Sequence, residues 1–510
     1  MKTLTSTEEY DLVVLGSGIG GKLTAWSFAQ KGQRVVVVES KYVGGGGSCP
    51  NVACLPAKNI IHSAKVASFF YRSNEFGISK DNVRINMAAV RERKRKMVRN
   101  LADIFLDTYK KSGAELVMGT GRFVGPKTIE VNLADGGKRT VRGKIVIINT
   151  GSRATLEPIP GLAEAKPITH IEAFELDHTP KHLLVLGAGY VGLELAQAFR
   201  RFGAEVTLID RNSRLAHHED EDISQGLEEM CRDEGITVVT NARISRVEGN
   251  SGEWIRLLGS SDRAELSLEG THLLVAGGRT PNTTGMGLDK AGVETTKQGH
   301  VKVNERLQTT AEGVWAVGDC AGSPHFTHIS QDDFRVVSDN IAGGTRVTTG
   351  RQVPFCLFTD PELARIGLSE TEAKQRGIPY RVAKLPMAAV LRAMTISETR
   401  GFMKVLIETE SDRILGFTMF GAGAGDVMAV VQMAMLSGLP YTAVREAVIA
   451  HPTMPEGLIP LFGNVPPLQA AMKRGFQTRE AEMALPRMLG HSTTTLNKQR
   501  ATKVNTGRKA

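Results

Sequence analysis

Two cysteines five residues apart, Cys49 and Cys54, stand in the segment GGGGSCPNVACLPAK at 44–58 of a 510-residue chain. A thiol pair can store and release two electrons by opening and closing a disulfide, and in a reducing compartment such pairs are catalytic or redox-sensing rather than structural. On an ideal helix, residues five apart have Cα atoms about 8–9 Å apart, whereas a disulfide needs roughly 4.4–6.8 Å. The pair can bridge only where the turn is distorted, which Pro50 and the preceding glycines allow. Two inert thiols or half of a metal site are the alternatives. Cys231, Cys320 and Cys356 have no paired spacing, so no metal site is expected, and each of the three reads as a small buried thiol. Far downstream, His451 and Glu456 frame the segment HPTMPE. An imidazole exchanges protons near neutral pH, and a carboxylate on its second nitrogen fixes the tautomer and raises basicity. Alone, such a histidine reads as structural; beside a thiol pair it becomes an acid–base candidate.

The elements that must position these groups repeat. Leu12–Leu15 reads as a buried strand, Gly16-Ser17-Gly18-Ile19-Gly20-Gly21 as a turn, Lys22–Lys31 as a helix and Arg34–Val38 as a strand ending at Glu39. The pattern returns as strand Leu183–Leu186, turn Gly187-Ala188-Gly189-Tyr190-Val191-Gly192, helix Leu193–Arg201 and strand Val206–Ile209, ending at Asp210. In each G-x-G-x-x-G the first glycine makes the turn, the second admits pyrophosphate and the third allows close helix packing, while the helix N-terminus offers unpaired N–H groups. One such motif is weak evidence. Two, each followed about twenty residues on by an acid suited to ribose hydroxyls, predict two bound dinucleotides and two doubly wound units.

A charged helix over 88–112 separates the units, and its cluster Arg91, Arg93, Lys94, Arg95 and Lys96 reads as a solvated face. Val314–Asp319 reads as a buried strand ending in an acid. Residues 352–465 mix strands at 353–358, 402–407 and 414–420 with an apolar helix near 425–437, an α+β module. The chain carries a net charge of +9, but nine basic and two acidic side chains after residue 465 account for +7 of it. The charge therefore belongs to a tail expected to be flexible, and does not argue for nucleic acid binding by the body. No apolar stretch is long enough for a bilayer span, the N-terminus lacks a signal-peptide pattern, and five cysteines make no secreted disulfide framework. A cytoplasmic protein is expected.

Taken in order, Gly16–Gly21, Glu39, Cys49–Lys58, Thr150-Gly151-Ser152, Gly187–Glu194, 277–282 (GGRTPN), 317–319 (VGD), 358–362 (FTDPE) and His451–Glu456 resemble the pyridine nucleotide–disulfide oxidoreductases, a family that includes dihydrolipoyl dehydrogenase, glutathione reductase and mercuric reductase. The resemblance implies an α/β fold of two Rossmann-like dinucleotide-binding domains plus a C-terminal α+β dimerisation domain. It implies FAD on Gly16, Gly18, Gly21, Glu39, Ser48, Lys58, Gly121, Thr150, Gly151, Ser152 and Asp319. NADH or NADPH would lie on Gly187, Gly189, Gly192, Glu194, Asp210, Arg211 and Gly278. Lys58 would pair with Glu194 beside the flavin, Cys54 would be the flavin-proximal thiol and Cys49 the one that attacks substrate. His451, oriented by Glu456, would serve the partner subunit of a homodimer. The implied division is 1–155 and 281–350 for FAD, 156–280 for NAD(P), 351–465 for dimerisation and 466–510 for the tail.

The implied activity is electron relay from nicotinamide through flavin to a Cys49–Cys54 disulfide and on to a disulfide or dithiol substrate. The alternatives are a soft metal ion, Hg or Cu, as acceptor, and a flavoprotein oxidase or monooxygenase on the same scaffold. Ser48, Pro50 and Ala53 depart from the family's usual residues and change the shape beside Cys49. Residues 357–510 contain no cysteine, whereas a mercuric reductase is expected to carry a vicinal pair near its C-terminus. Asp210 favours the free ribose of NAD while Arg211, with Arg214 and His217 nearby, suits the extra phosphate of NADP, so the sequence leaves the nicotinamide open.

Overall fold

The computed structural model describes residues 7–41, 46–79, 81–262 and 264–468; the basic segment beyond 468, with the expectation of flexibility attached to it, lies outside them. The first unit comprises β1 (Glu8–Leu15), α1 (Ile19–Ala29), β2 (Val35–Glu39), α2 (Ser48–Asn51), α3 (Cys54–Tyr71), α4 (Met87–Ser112), β3 (Glu115–Gly125), β4 (Thr128–Leu133) and β5 (Lys138–Ile148). β1 runs parallel between β2 and β5, with Leu12 opposite Val35 on one side and Ile145 on the other. β3 extends the sheet beyond β2, Val314–Ala316 extends it beyond β5, and β4 ties β3 to β5 in an antiparallel meander.

The run Leu12-Val13-Val14-Leu15 is apolar without alternation because both sheet faces are covered. Val13 and Leu15 enter a cluster with Phe123, Ile129 and Ile148, while Leu12 and Val14 enter another with Phe28, Ile147 and Trp315. Full burial of side chains of this size contributes about 1.5–3 kcal/mol each. Each strand thus ends on a rigid floor, and the loops that leave it are placed accordingly.

The second unit has a four-stranded parallel sheet in the order His272–Val275, His182–Leu186, Glu205–Ile209, Thr237–Val239, with the helix Tyr190–Arg201 following the second glycine turn. The C-terminal module is a five-stranded antiparallel sheet that runs Phe355–Leu357, Glu362–Gly367, Ile414–Gly421, Phe402–Glu408, Tyr380–Pro386 and carries the helix Ala424–Leu436. Buried Lys404 in this sheet donates to Asp220 at 2.8 Å, to Asp222 at 2.9 Å and to Glu370 at 3.0 Å, so one ammonium joins the C-terminal module to the helix start at Glu221.

Two sequence expectations need correction. The basic cluster of α4 is a solvated face only in part: Arg93, Arg95 and Lys96 are exposed, whereas Lys94 is buried. Lys94 is 3% exposed and paired with Glu175, Arg95 donates to the same carboxylate at 2.6 Å, and Arg91 reaches Asp177 at 3.2 Å. These cations dock α4 onto the loop after the helix His170–Ala173, an acidic partner too distant in sequence to be seen locally. Cys231 and Cys320 are buried as expected, but Cys356 is only partly buried.

Candidate active site

The helix that carries the cysteines is broken between them. α2 stops at Asn51, Val52 and Ala53 leave helical geometry (φ −141°, ψ 4° and φ −129°, ψ −104°), and α3 begins at Cys54. This is the distortion that the five-residue spacing demands, and it lets the two sulfurs meet. Both are free thiols here, and Cys49 donates a hydrogen bond to Cys54.

The two thiols differ in acidity. The hydrogen bond from Cys49 is the largest cause that holds Cys54 below the usual thiol range; burial opposes it, and Thr327 and Lys58 add to it. Thr327 Oγ1 lies 3.4 Å from Cys54 Sγ. It is the first residue of the helix Thr327–Ile341, whose N-terminus has no side-chain cap and no acid in its first turn, so the helix's positive end sits beside the sulfur. Cys49 moves the other way, above the usual range, because it spends its proton on Cys54 and is buried. The sequence singles out the segment 326–330 (FTHIS) only for its likeness to mercuric-reductase-like members and assigns Thr327 no role beside the thiols. Thr327→Val is expected to raise the pH at which the reduced enzyme forms the Cys54 thiolate, because it removes a donor that favours the charged form. Ultraviolet thiolate absorbance titrated from pH 4 to 10 on anaerobically reduced protein checks this; an unmoved midpoint contradicts it.

Lys58, one turn after Cys54 on α3, donates to both oxygens of Glu194 at 2.9 and 2.8 Å. Glu194 also accepts from Phe358 N–H at 2.9 Å, so the second glycine unit, α3 and the C-terminal module meet at one carboxylate.

Both glycine turns have the geometry of a phosphate cradle. At Gly16 (φ +89°) a side chain would strike the Asn149 backbone, and at Gly21 it would approach Gly16 O at 2.7 Å. α1 starts on Gly18 with no side-chain cap, and the Ser17 hydroxyl beside it is buried with no hydrogen-bond partner among the described residues. In the second unit Gly187 (φ +109°) is pressed on Ala276, while a Cβ on Gly189 would meet nothing within 4 Å, leaving open space above the uncapped start of Tyr190–Arg201. The acids after each unit are held alike: Glu39 accepts from Ser17 N–H at 2.9 Å, and Asp210 from Ala188 N–H at 2.6 Å. These residues fit two dinucleotide pyrophosphates.

Asn149, also missed, staples the first turn. It accepts from Gly21 N–H at 2.9 Å and donates to Val317 O at 3.0 Å, which ties α1 to the turn that presents Asp319. A polar residue closing the apolar run 145–148 was its only signal. Fully buried Asp333 holds the same turn by accepting from Gly318 N–H at 2.8 Å. Asp319 is bonded by Ser152, whose hydroxyl accepts from Arg279 at 2.7 Å. Thr150 donates to Asn282 O at 2.8 Å, and the Gly151 carbonyl accepts from Asn282 N–H at 2.9 Å.

The chain matches the model of the pyridine nucleotide-disulphide oxidoreductases over residues 10–333 and that of their dimerisation domain over 353–460. It belongs to this family. Its relatives include a probable pyridine nucleotide-disulfide oxidoreductase, RclA, from Escherichia coli, 32% identical over 90% of this chain and 99% of RclA. The mitochondrial dihydrolipoyl dehydrogenase of Pisum sativum is 33% identical over 89% and 91% of the two chains, and a mercuric reductase of Streptomyces lividans 35% over 88% and 94%. A solved structure described as the Cu(II) complex of the HOCl-induced flavoprotein disulfide reductase RclA superposes with a TM-score of 0.82 at 31% identity, covering 90% of this chain and all of RclA. The family uses FAD and NAD(P)H, and its members are oxidoreductases.

Others of the expected site residues fall in five further places. Ser48 opens α2 just before Cys49, and Gly121 sits within β3 against Leu15. Gly278 (φ +151°) faces Thr155, and Arg211 is 69% exposed at the side chain, reaching Glu157 at 3.2 Å. His451 and Glu456 are paired at 2.9 Å with the imidazole 61% exposed, and among the described residues no hydrogen bond or ion pair joins them to Cys49 or Cys54. No group of three or more metal-ligating side chains, and no helix long and apolar enough to cross a membrane, occurs among the described residues.

Proposed function

We propose that the protein is an NAD(P)H-dependent flavoprotein reductase whose Cys49–Cys54 pair passes electrons to a disulfide or dithiol substrate. The observation that carries this reading is the broken helix. It sets two thiols in contact and makes one of them acidic, beside a helix N-terminus and the Lys58–Glu194 pair. FAD, when bound, supplies two-electron transfer between nicotinamide and the thiol pair.

In this reading Gly16, Gly18 and Gly21, with Ser17 and Asn149 behind them, hold the FAD pyrophosphate, and Glu39 the adenosine ribose. Ser48, Gly121, Thr150, Gly151, Ser152 and Asp319 line the rest of its path. Gly187, Gly189, Gly192, Asp210, Arg211 and Gly278 hold the nicotinamide dinucleotide. Lys58, kept in place by Glu194, presents positive charge toward the flavin. Cys54 stays a thiolate next to the flavin, and Cys49 attacks the substrate disulfide. His451 donates the proton to the departing thiol, and Glu456 on Nδ1 keeps the other ring nitrogen directed outward.

An exposed imidazole with no link to its own cysteines fits a site completed by a second copy of the chain. The matched dimerisation domain supports a homodimer, and exposed Phe69 and Phe70 on α3 with Met433 and Leu436 on the helix Ala424–Leu436 offer the apolar surface for it. A thiol pair that cycles between reduced and oxidised forms suits a cytoplasmic enzyme.

A soft metal ion, Cu(II) in particular, is the second reading, favoured by the full-length similarity to the RclA described in complex with Cu(II). Turnover of lipoamide, glutathione disulfide, Cu(II) and Hg(II), each with NADH and NADPH, separates the two. A disulfide turned over far faster than either metal supports the first; metal reduction with no disulfide turnover supports the second.

A further inference from the structure

Lysine is almost never fully buried unless paired, yet Lys22, directly after the third glycine of the first turn, is 1% exposed. Among the described residues its Nζ makes one hydrogen bond, to the Gly46 carbonyl at 3.2 Å. Aromatic rings line its pocket: Phe105 of α4 lies 3.8 Å from Nζ at its centroid, and Trp26 of α1 lies 6.0 Å away. Burial pushes the ammonium down to about 8, and the two groups that act against that fall are Cys49 first and then Glu39. Glu39 already accepts from Ser17 N–H and Lys41 N–H.

The residue that Lys22 grips begins the turn carrying the first cysteine. Gly46 packs against Ser17 and Glu39, and Gly47 lies so near Gly18 that a Cβ would come within 3.0 Å of its Cα. Gly47 caps α2, where Cys49 is the second residue. Among the described residues, the groups that act on the charge of Cys49 are Cys54 from α3, Thr327 from the helix Thr327–Ile341 and Lys22 from α1. Of these Lys22 is the cation.

We propose that Lys22 is the positioning residue of Cys49: its ammonium holds the Gly46 carbonyl, and with it the turn that carries Cys49, and balances the charge that Cys49 takes on when it gives up its proton to attack substrate. The assignment rests on Cys49 as the attacking thiol. It differs from the role given to Lys58, which lies on the Cys54 side.

The test uses full-length, FAD-loaded wild type, Lys22→Met and Lys22→Arg. Each is reduced anaerobically with NADH or NADPH and treated with iodoacetamide between pH 6 and 10, and the labelled cysteine peptides are quantified by mass spectrometry. The Cys49 and Cys54 peptides are followed separately, and in wild type the Cys49 profile is expected to rise at higher pH than that of Cys54. In Lys22→Met, Cys49 should label about tenfold more slowly at neutral pH, with its profile displaced about one unit upward and FAD content unchanged, because only the thiolate is nucleophilic. Lys22→Arg should recover most of the rate. A Lys22→Met profile that superimposes on wild type overturns the proposal, as does loss of FAD from that variant, which would make Lys22 a cofactor contact. A wild-type Cys49 peptide that stays unlabelled up to pH 10 removes instead the assignment of Cys49 as the attacking thiol on which the proposal stands.

Discussion

Cys54→Ser is expected to lower NAD(P)H-dependent reduction of a disulfide substrate by on the order of a thousandfold or more, as removal of a nucleophile at a covalent relay does. The same variant should lose the long-wavelength absorbance that a thiolate beside an oxidised flavin produces. Cys49→Ser should lose turnover equally but keep that absorbance, because the acidic thiol is Cys54 and its neighbours Thr327 and Lys58 remain. The serine at 49 can still donate a hydrogen bond to Cys54. Stopped-flow spectra of the two variants with NADH or NADPH under nitrogen make the comparison. Identical spectra would contradict the division of labour between the two sulfurs. Full turnover by either variant with oxygen as acceptor would favour an oxidase on the same scaffold.

This contrast shows what the sequence could carry and what it could not. Spacing allowed the pair to bridge only if the helix broke between Cys49 and Cys54, and it breaks at Val52 and Ala53. Both glycine turns were legible with their flanking strands, because a strand buried on two faces is continuously apolar and the turn has few substitutes for glycine. What sets the acidity of Cys54 was not legible. Thr327 is 273 residues away, and nothing in its own surroundings marks it as a neighbour of sulfur. Asn149 and Asp333 were hidden for a related reason: each acts by bonding a backbone group of another segment, and backbone partners leave no trace in residue types. Lys94 shows the opposite error, a cation read as solvated because its carboxylate lies 81 residues on.

Whether the site is shared between subunits has a decisive outcome. His451→Ala is expected to slow turnover by about a hundredfold to ten-thousandfold, the range for loss of a general acid–base. Cys49→Ser and His451→Ala are then two nearly inactive homodimers. If each site takes its thiols from one chain and its imidazole from the other, a mixed dimer holds one doubly altered site and one intact site. Random pairing makes half of the dimers mixed, so coexpression of the two variants should restore roughly a quarter of wild-type activity under the symmetry of a two-fold dimer. If instead each chain serves its own thiols, both sites of the mixed dimer lack a group and nothing is restored. Purification through two different tags isolates the mixed species, for which the expected value is roughly half. The exposed His451–Glu456 pair, unconnected to its own cysteines, predicts restoration. Activity no higher than that of the two homodimers would place the proton donor within the same chain as the thiols and remove His451 from the partner's site.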